Sequence, residues 1–327
     1  MTSSPLVVAV LDDLPDPQLD ALRAALPGAE IRNAGADPGA HPDALSGAHW
    51  ILTQGTSVDA DVLKAAGALV GVVSLGAPDA SIDEQACQAR GVRVHAIGSP
   101  AMATVAEHTV MLILMLVKRA EEAIRRLRAG VVVGGVEPAV TTQQSYAYNW
   151  VGLESFEGLR GQTVGLIGLG VIGGRTAQLL RAFGVDVAYT KPRRLAPEQE
   201  KAAGVRYLPL PDLLSQSRIV SLHNRFTPET ERMMGEREFA LMPKGSFFVN
   251  TARGRLVDED ALAAALERGH LAGAALDVFW YEPLPKDSRL LTVPNLILTP
   301  HTGGIPMAES QIIELREAAR LIAEESA

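Results

Sequence analysis

An arginine, a glutamate and a histidine in the last third of the chain each follow a short apolar run. Arg253 lies in NTARGR, Glu282 in DVFWYEPLP and His301 in TPHTGG. A guanidinium can hold a carboxylate through paired hydrogen bonds and polarise an adjacent ketone. An imidazole can deliver a proton near neutral pH, and a neighbouring carboxylate favours its protonated form and fixes its tautomer. The three side chains therefore suit reduction of a 2-oxo acid, with Arg253 anchoring the substrate, His301 as general acid/base and Glu282 tuning His301.

Each of these residues also has a structural interpretation. An arginine after a strand is commonly a surface or ion-pair residue, and a histidine before Thr-Gly-Gly can cap a turn. Ligands of open α/β sheets bind beyond the carboxyl ends of the strands. Because the three residues follow three successive predicted strands, the functional interpretation is favoured for the set.

The element that must position a cofactor beside them is a glycine turn near the middle of the chain. The apolar run Thr163–Ile167 predicts a buried strand, and the pattern G-x-G-x-x-G and an amphipathic helix follow it. Such glycines permit a tight turn, close approach of a pyrophosphate and close helix–strand packing, while N–H groups at the helix start hold the phosphates. This context predicts a dinucleotide site rather than a purely structural turn. The expected contacts are Gly168, Gly170, Val171, Ile172 and Gly173.

Coenzyme choice depends on the end of the next predicted strand. NAD-specific sites place an acidic residue about 20 residues beyond the glycine turn, where it binds the ribose 2′-hydroxyl. That position falls on Thr190, and Lys191, Arg193 and Arg194 follow it. Cations suit a 2′-phosphate, so the sequence predicts NADP in preference to NAD. The alternative is a solvated basic turn on an enzyme that uses NAD through other contacts.

Alternating strand and helix patterns predict an α/β fold with parallel sheets. We expect a substrate-binding domain of residues 1–100 plus 303–327, and an inserted dinucleotide-binding domain of residues 101–302. Ala101–Arg128 is predicted to be one long helix, and residues 130–161, which have no clear period, to be an arm on a partner subunit or over a cleft, or else a surface excursion. The predicted strands are Leu6–Leu11, Trp50–Thr53, Leu69–Ser74, Val92–Ala96, Thr163–Ile167, Val185–Tyr189, Val205–Tyr207, Ile219–Leu222, Ser246–Asn250, Gly273–Asp277 and Leu296–Thr299.

Composition narrows the class of protein. The 327 residues carry a net charge of −8, and the absence of a long basic run argues against nucleic-acid binding. The single cysteine, Cys87, excludes an internal disulfide and fits a reducing compartment, so we expect a cytoplasmic protein. The apolar segment Val105–Val117 is interrupted by Glu107 and His108 and predicts a buried helix rather than a membrane span. No His, Cys or Asp spacing indicates a metal site.

The chain resembles the D-isomer-specific 2-hydroxyacid dehydrogenases over nearly its whole length. The matching segments are VAEHTVMLILMLVKR, LRGQTVGLIGLGVIGG, HNRFTPET, MPKGSFFVNTARGRLVDEDAL, GAALDVFWYEPLP and LTPHTGG. The resemblance implies two Rossmann-like domains, a flavodoxin-like substrate domain and an inserted dinucleotide-binding domain with a parallel sheet. It also implies hydride transfer between NAD(P)H and a small 2-oxo acid of the glyoxylate or hydroxypyruvate type, and a homodimer.

The resemblance carries family roles onto this chain residue by residue. It assigns catalysis to Arg253, Glu282 and His301, of which Arg253 and His301 also contact the substrate. The loop at Leu75, Gly76 and Ala77 matches the one whose N–H groups bind the substrate carboxylate, although LGAPDASID departs from the usual pattern there. The remaining coenzyme contacts that it implies are Thr104, His223, Thr251, Ala252 and Asp277, of which His223 could equally be a structural histidine.

Two other functions remain open from the sequence. One is a non-catalytic NAD(P)-binding sensor or scaffold on the same fold, which retention of the three catalytic residues disfavours. The other is a formate-dehydrogenase-like enzyme, but those relatives carry Gln where this chain has Glu282.

Overall fold

The chain crosses twice between two structural units. A computed structural model describes residues 5–76 and 82–327, and it divides into Met1–Met102 with Ile305–Ala327, here called unit 1, and Ala103–Gly304, here called unit 2. The crossings therefore follow Met102 and Gly304.

Strands and helices alternate through both units, as the sequence predicts. The strands are β1 Val7–Val10, β2 Glu30–Asn33, β3 Trp50–Thr53, β4 Gly71–Leu75, β5 Arg93–Ile97, β6 Thr163–Ile167, β7 Asp186–Thr190, β8 Arg206–Tyr207, β9 Ile219–Leu222, β10 Phe247–Asn250, β11 Gly273–Leu276 and β12 Leu296–Leu298. The helices are α1 Asp16–Ala25, α2 Pro42–Leu45, α3 Ala60–Ala65, α4 Glu84–Ala89, α5 Pro100–Lys118, α6 Ala120–Arg128, α7 Val171–Ala182, α8 Pro197–Ala203, α9 Leu210–Gln216, α10 Glu236–Leu241, α11 Glu259–Glu267 and α12 Met307–Ser326.

Unit 1 is a parallel five-stranded sheet in the order β2-β1-β3-β4-β5, which is the flavodoxin-like order. Successive side chains of β1 enter two different cores, because neighbouring residues of a strand point to opposite faces. Val7 and Ala9 pack with α2, α3 and α4, whereas Val8 and Val10 pack with α1 and α12. The C-terminal helix α12 thus covers one face of this sheet, and Trp50 Nε1 donates a hydrogen bond to Ser326 Oγ at 3.0 Å.

Unit 2 contains a parallel seven-stranded sheet in the order β12-β11-β10-β9-β6-β7-β8. The strand order reverses between β6 and β9, the switch point where open α/β sheets bind ligands. Both faces of the sheet are covered: Phe247 and Val249 pack with α5 and α7, while Phe248 packs with α9, α10 and α11. The predicted α/β fold with a flavodoxin-like and a Rossmann-like sheet is confirmed.

The predicted single helix Ala101–Arg128 is wrong, because the structure breaks it at Arg119. Arg119 has a left-handed φ of 51°, which a continuing right-handed helix does not accommodate. Its guanidinium pairs with Glu122 at 2.5 Å and contacts Asn295 Oδ1 at 3.4 Å. The chain therefore turns between α5 and α6.

Helix α5 is the helix of the described residues that is long and apolar enough to cross a membrane, with 19 residues and a mean hydropathy of 1.7 in its most apolar window. A core helix of a soluble protein can meet the same criterion. Leu112, Ile113 and Leu116 of α5 are buried in the core of unit 2.

Candidate active site

Three loops at the carboxyl edge of the unit 2 sheet bear the residues expected to do chemistry. They follow β10, β11 and β12, which are neighbouring parallel strands. The first two loops are in close contact, since a Cβ atom added to Gly254 would lie 1.9 Å from the carbonyl carbon of Phe279. The sheet thus presents Arg253, Glu282 and His301 from adjacent loops.

Glu282 and His301 form a hydrogen-bonded pair. Glu282 Oε2 lies 2.6 Å from His301 Nδ1, and Glu282 Oε1 accepts a hydrogen bond from the Phe279 N–H at 3.0 Å. Because a carboxylate only accepts, the imidazole carries a proton on Nδ1 and presents Nε2 on its other side. About half of the His301 side chain, 48%, is exposed, so Nε2 can reach a ligand.

Arg253 is exposed at the end of β10. Its guanidinium donates to the Ala252 carbonyl at 2.6 Å. Asn250, the last residue of the strand, fixes the turn by donating to the Arg253 carbonyl at 2.9 Å and accepting from the Ala252 N–H at 3.0 Å. The adjacent Thr251 is buried and shares a hydrogen bond with Thr109 at 2.8 Å. The backbone beneath the guanidinium is therefore held while its side chain is accessible.

Asp277, directly after β11, is 2% exposed and makes contacts that sequence reasoning missed. Its carboxylate accepts hydrogen bonds from Thr299 Oγ1 at 2.6 Å and from the N–H groups of Thr302 and Gly303, both at 2.9 Å. His108 Nε2 lies 3.1 Å from Thr299 Oγ1 and 3.4 Å from Asp277 Oδ1. The expected contact of Asp277 with the nicotinamide stays a prediction.

The glycine turn has the close packing that a dinucleotide site requires. Gly168 has a φ of 99°, and a Cβ there would lie 2.7 Å from backbone atoms of His223 and Asn224. A Cβ at Gly173 would lie 2.5 Å from the Gly168 carbonyl oxygen. Gly170, the residue before α7, has open space around its Cα. A pyrophosphate can therefore approach Gly170 and the first N–H groups of α7, at Val171 and Ile172.

The three cationic side chains that follow β7 differ in the contacts that they make. Arg194 makes two hydrogen bonds to Glu200, both at 2.8 Å, and Tyr189 OH donates to the same carboxylate at 2.8 Å. Lys191 Nζ lies 3.4 Å from the Leu169 carbonyl inside the glycine turn, and Arg193 is exposed. Two of the three cations are thus placed to meet a ligand, whereas Arg194 is held by Glu200.

His223 follows β9 beside the glycine turn. Its Nε2 lies 3.0 Å from Ser221 Oγ. Burial lowers the pKa of His223 to about 4, although part of its surface is accessible. The imidazole is therefore neutral at pH 7 and can act there as a hydrogen-bonding group rather than as a cation.

Of the remaining predicted residues, Leu75 and Gly76 belong to unit 1 and Thr104 belongs to unit 2. Leu75 is buried at the end of β4, and the Gly76 N–H donates to the Ile97 carbonyl at 2.9 Å. Ala77, the third residue of the expected carboxylate-binding loop, lies outside the described residues. Thr104 lies in the second turn of α5, just inside unit 2.

Metal ligation has no support in the part of the chain that the structure describes. Within residues 5–76 and 82–327, no group of three or more His, Cys, Asp or Glu side chains is arranged to hold a metal ion.

Comparison with known proteins identifies relatives of the whole chain. The family model described as "D-isomer specific 2-hydroxyacid dehydrogenase, NAD binding domain" matches residues 110–303. Glyoxylate/hydroxypyruvate reductase B of Klebsiella pneumoniae (strain 342) is 32% identical over 299 residues, which cover 91% of this chain and 88% of that protein.

Solved structures of dehydrogenases are also similar to this chain over most of its length. A D-isomer specific 2-hydroxyacid dehydrogenase from Xanthobacter autotrophicus Py2, in complex with NADPH and MES, has a TM-score of 0.65 and 28% identity, covering 98% of this chain and 96% of that one. D-lactate dehydrogenase from Aquifex aeolicus, complexed with NAD and lactic acid, has a TM-score of 0.58 and 27% identity, covering 96% and 94%.

Proposed function

The chain belongs to the D-isomer-specific 2-hydroxyacid dehydrogenase family, and on that premise we propose that Arg253, Glu282 and His301 carry its reaction. The protein is an NAD(P)-dependent oxidoreductase that interconverts small 2-oxo acids and D-2-hydroxy acids. The hydrogen bond of 2.6 Å between His301 Nδ1 and Glu282 Oε2 is the observation that carries the assignment.

The three residues divide the work of reduction between them. NAD(P)H, held at the glycine turn of unit 2, would supply the hydride that the carbonyl carbon of the 2-oxo acid accepts. His301 donates the proton on Nε2 to the carbonyl oxygen, which would otherwise become an alkoxide. Glu282 stabilises the charged imidazole and keeps the Nδ1 proton in place. Arg253 leaves the Ala252 carbonyl to hold the substrate carboxylate with its two-pronged guanidinium.

Unit 2 is the proposed dinucleotide-binding domain and unit 1 the proposed substrate-binding domain. Support comes from the open Cα of Gly170 at the start of α7, which suits a pyrophosphate. Within unit 2 we assign coenzyme contacts also to Thr104, Gly168, Gly173, Thr190, His223, Thr251, Ala252 and Asp277. In unit 1 we assign the substrate carboxylate to the loop that contains Leu75, Gly76 and Ala77.

The decisive test is oxidation of NADPH or NADH, followed at 340 nm, on addition of a panel of 2-oxo acids. The family relatives named as glyoxylate/hydroxypyruvate reductases favour glyoxylate and hydroxypyruvate as substrates. His301→Ala should lower kcat by about two to four orders of magnitude, the usual contribution of a positioned general acid/base. Coenzyme affinity, measured by nicotinamide fluorescence, should survive. A kcat within a few-fold of wild type would remove His301 as the proton donor.

The same panel separates the alternatives. A non-catalytic sensor would bind coenzyme without oxidising it, and the comparisons give no sign of one. Formate oxidation would favour the formate-dehydrogenase-like alternative, which the glutamate at position 282 disfavours.

We propose NADP as the preferred coenzyme. Thr190 carries no charge that would repel a 2′-phosphate, and Lys191 Nζ lies beside the glycine turn at 3.4 Å from the Leu169 carbonyl. Arg193, two residues farther along the chain, is exposed. These two cations, rather than Arg194, are the proposed phosphate ligands.

We also propose that the enzyme is a homodimer formed through unit 2. An apolar groove between α5 and α7 is lined by residues that include Val110, Met111, Leu114 and Phe183, of which Met111 and Phe183 are 41% and 43% exposed. The arm of residues 130–161 also presents apolar side chains, including Tyr146 and Tyr148. Since apolar patches of this kind mark interfaces, a second copy of the chain is the proposed occupant.

A cytoplasmic location completes the proposal. Cys87 is fully buried and unpaired, and burial raises the pKa of its thiol. Such a thiol is unreactive and is compatible with a reducing compartment.

A further inference from the structure

The backbone of His301 is held in an uncommon conformation. Its φ is 55°, in the left-handed region that non-glycine residues enter only when their surroundings enforce it. The His301 N–H donates to the Thr299 carbonyl at 2.9 Å, and the next two N–H groups donate to Asp277. The buried carboxylate therefore fixes the two peptide groups that follow the imidazole.

A chain of side-chain donors fixes the carboxylate in turn. Thr299 has one hydroxyl proton, and it is directed to Asp277 Oδ1 at 2.6 Å. Thr299 Oγ1 must then accept from His108 Nε2 at 3.1 Å, so His108 carries a proton on that nitrogen. The sequence of donors runs from His108 through Thr299 to Asp277.

There is little free space in this cluster. A Cβ at Gly303 would lie 2.9 Å from Asp277 Oδ2 and 3.4 Å from His108 Cδ2. The glycine thus allows the loop to approach both side chains closely. Asp277 Oδ1 receives Thr299 and the Thr302 N–H, while Oδ2 receives the Gly303 N–H, so both oxygens are used within unit 2.

We propose that His108, Thr299 and Asp277 form a positioning unit that aims His301 at the substrate. This inference rests on the proposed role of His301 as proton donor. It gives Asp277 a role in addition to the expected contact with the nicotinamide, since Oδ2 accepts one hydrogen bond from the loop and has a second acceptor site. Loss of the unit lets the loop relax from the left-handed conformation, which moves Nε2 away from the carbonyl oxygen.

Thr299 offers the cleanest variants. Thr299→Val keeps the shape and removes the hydroxyl, so Asp277 loses one of its three hydrogen-bond donors and His108 Nε2 loses its hydroxyl acceptor. We expect kcat for 2-oxo acid reduction to fall about ten- to a hundred-fold, the scale of a misplacement near 1 Å, with KM changed by less than about three-fold. Thr299→Ser returns the hydroxyl and should recover most of the lost kcat, which a packing defect alone would not allow.

Asp277→Asn tests the carboxylate itself. An amide turns a donor NH₂ group toward one of the N–H or O–H donors that now face an acceptor. In hydrogen–deuterium exchange of the whole enzyme, the peptide containing Thr302 and Gly303 should exchange faster in this variant, while β10 and β11 keep their protection.

A matched control is Ser217→Ala. Ser217 is also buried in unit 2, where its hydroxyl donates to the Leu213 carbonyl at 2.6 Å, but it is remote from the 301–303 loop in the fold. The Ser217→Ala variant loses a buried hydrogen bond of a hydroxyl group and should keep the wild-type kcat. An equal loss of kcat in Ser217→Ala and Thr299→Val would overturn the inference, because the effect would then be general destabilisation.

Two further results would overturn it. One is a Thr299→Val enzyme with kcat within two-fold of wild type and unchanged exchange at residues 302–303. The other is an Asp277→Asn enzyme in which the peptide containing Thr302 and Gly303 exchanges at the wild-type rate, because Asp277 would then not hold the loop. If His301→Ala is active, the proposed proton donor is wrong, while the exchange measurement still tests whether Asp277 holds the loop.

Discussion

Both oxygens of Glu282 are engaged, one by the Phe279 N–H and one by His301 Nδ1. Glu282→Gln can keep the bond to Phe279 through its amide oxygen, but it then turns an NH₂ group toward Nδ1. The imidazole would lose the partner of its Nδ1 proton and adopt the wrong tautomer. We expect kcat to fall about ten- to a thousand-fold, with coenzyme affinity unchanged.

The control for this prediction is Glu282→Asp, which keeps the charge but withdraws it by one methylene. Its kcat should lie between those of wild type and Glu282→Gln in steady-state assays. If the glutamine enzyme were as active as wild type, Glu282 would have only a structural part in the loop.

The common location of the three candidate residues could be predicted from the sequence, whereas the side chains that support them could not. Arg253, Glu282 and His301 follow apolar runs that end at one edge of a parallel sheet, which sequence alone suggests. His108 has no recognisable partner near it in the sequence, where it only interrupts the apolar segment Val105–Val117. Its partner Thr299 lies 191 residues away, and only the packing of α5 against the end of β12 brings them together.

At the scale of elements, the turn after β7 is built on Glu200 of α8. Tyr189 OH accepts a hydrogen bond from the Leu195 N–H at 2.9 Å and donates one to Glu200. Arg194 donates a further hydrogen bond to Glu200. The turn therefore leaves Lys191 and Arg193 able to bind a ligand, whereas Arg194 is paired with Glu200.

We expect substitution of these cations to change coenzyme preference by different amounts. Lys191→Gln and Arg193→Gln should each reduce the ratio of kcat/KM for NADPH over NADH by up to about ten- to a hundred-fold, the contribution of a charge-assisted hydrogen bond. Thr190→Asp should move preference toward NADH. Arg194→Gln is the control and should change the ratio little. A wild type that prefers NADH tenfold would contradict the NADP proposal.

The same network predicts a pH-dependent contribution to stability. Hydrogen bonds from Arg194 and from Tyr189 lower the pKa of Glu200 to about 2. Since the folded pKa lies below the unfolded value of about 4.3, the carboxylate stabilises the fold above that value and loses this effect as the pH falls toward 2. Glu200→Gln should therefore have a lower urea midpoint than wild type at pH 7, and the gap should narrow below pH 4.5.

Tyr189→Phe is the companion variant for that measurement. It removes one donor to Glu200 and keeps the ion pair with Arg194, so its urea midpoint at pH 7 should fall between those of wild type and Glu200→Gln. A gap between wild type and Glu200→Gln that is constant from pH 7 to pH 3 would mean that the carboxylate charge contributes nothing.

Most elements agreed with their sequence patterns, and the two failures have physical causes. Strand β2, Glu30–Asn33, was missed because it is a four-residue edge strand in which Ile31 is the one apolar residue, so no apolar alternation marks it. The break at Arg119 was missed because Lys-Arg-Ala-Glu favours a continuous helix. Tertiary contacts of Arg119 with Glu122 and Asn295 accompany the left-handed turn there.

At the scale of the whole molecule, the dimer proposal has a direct test. Met111→Asp with Phe183→Asp places two charges in the apolar groove of unit 2, and light scattering after gel filtration should show conversion of a dimer of about twice 34.7 kDa to a monomer. Val70→Asp is the control, since Val70 is 39% exposed on unit 1. A monomeric wild type, or a double variant that remains dimeric, would rule out this interface.

The left-handed backbone at His301 also decides which knockout can be interpreted. Alanine tolerates a φ of 55° poorly, whereas asparagine enters that region readily. His301→Ala therefore has two effects: it removes the imidazole, and it favours a different backbone conformation of the loop. Its kcat reports both effects together. His301→Asn removes the imidazole alone. The ratio of the kcat of His301→Asn to that of His301→Ala therefore measures how much of the loss in His301→Ala comes from the changed loop conformation rather than from the missing imidazole.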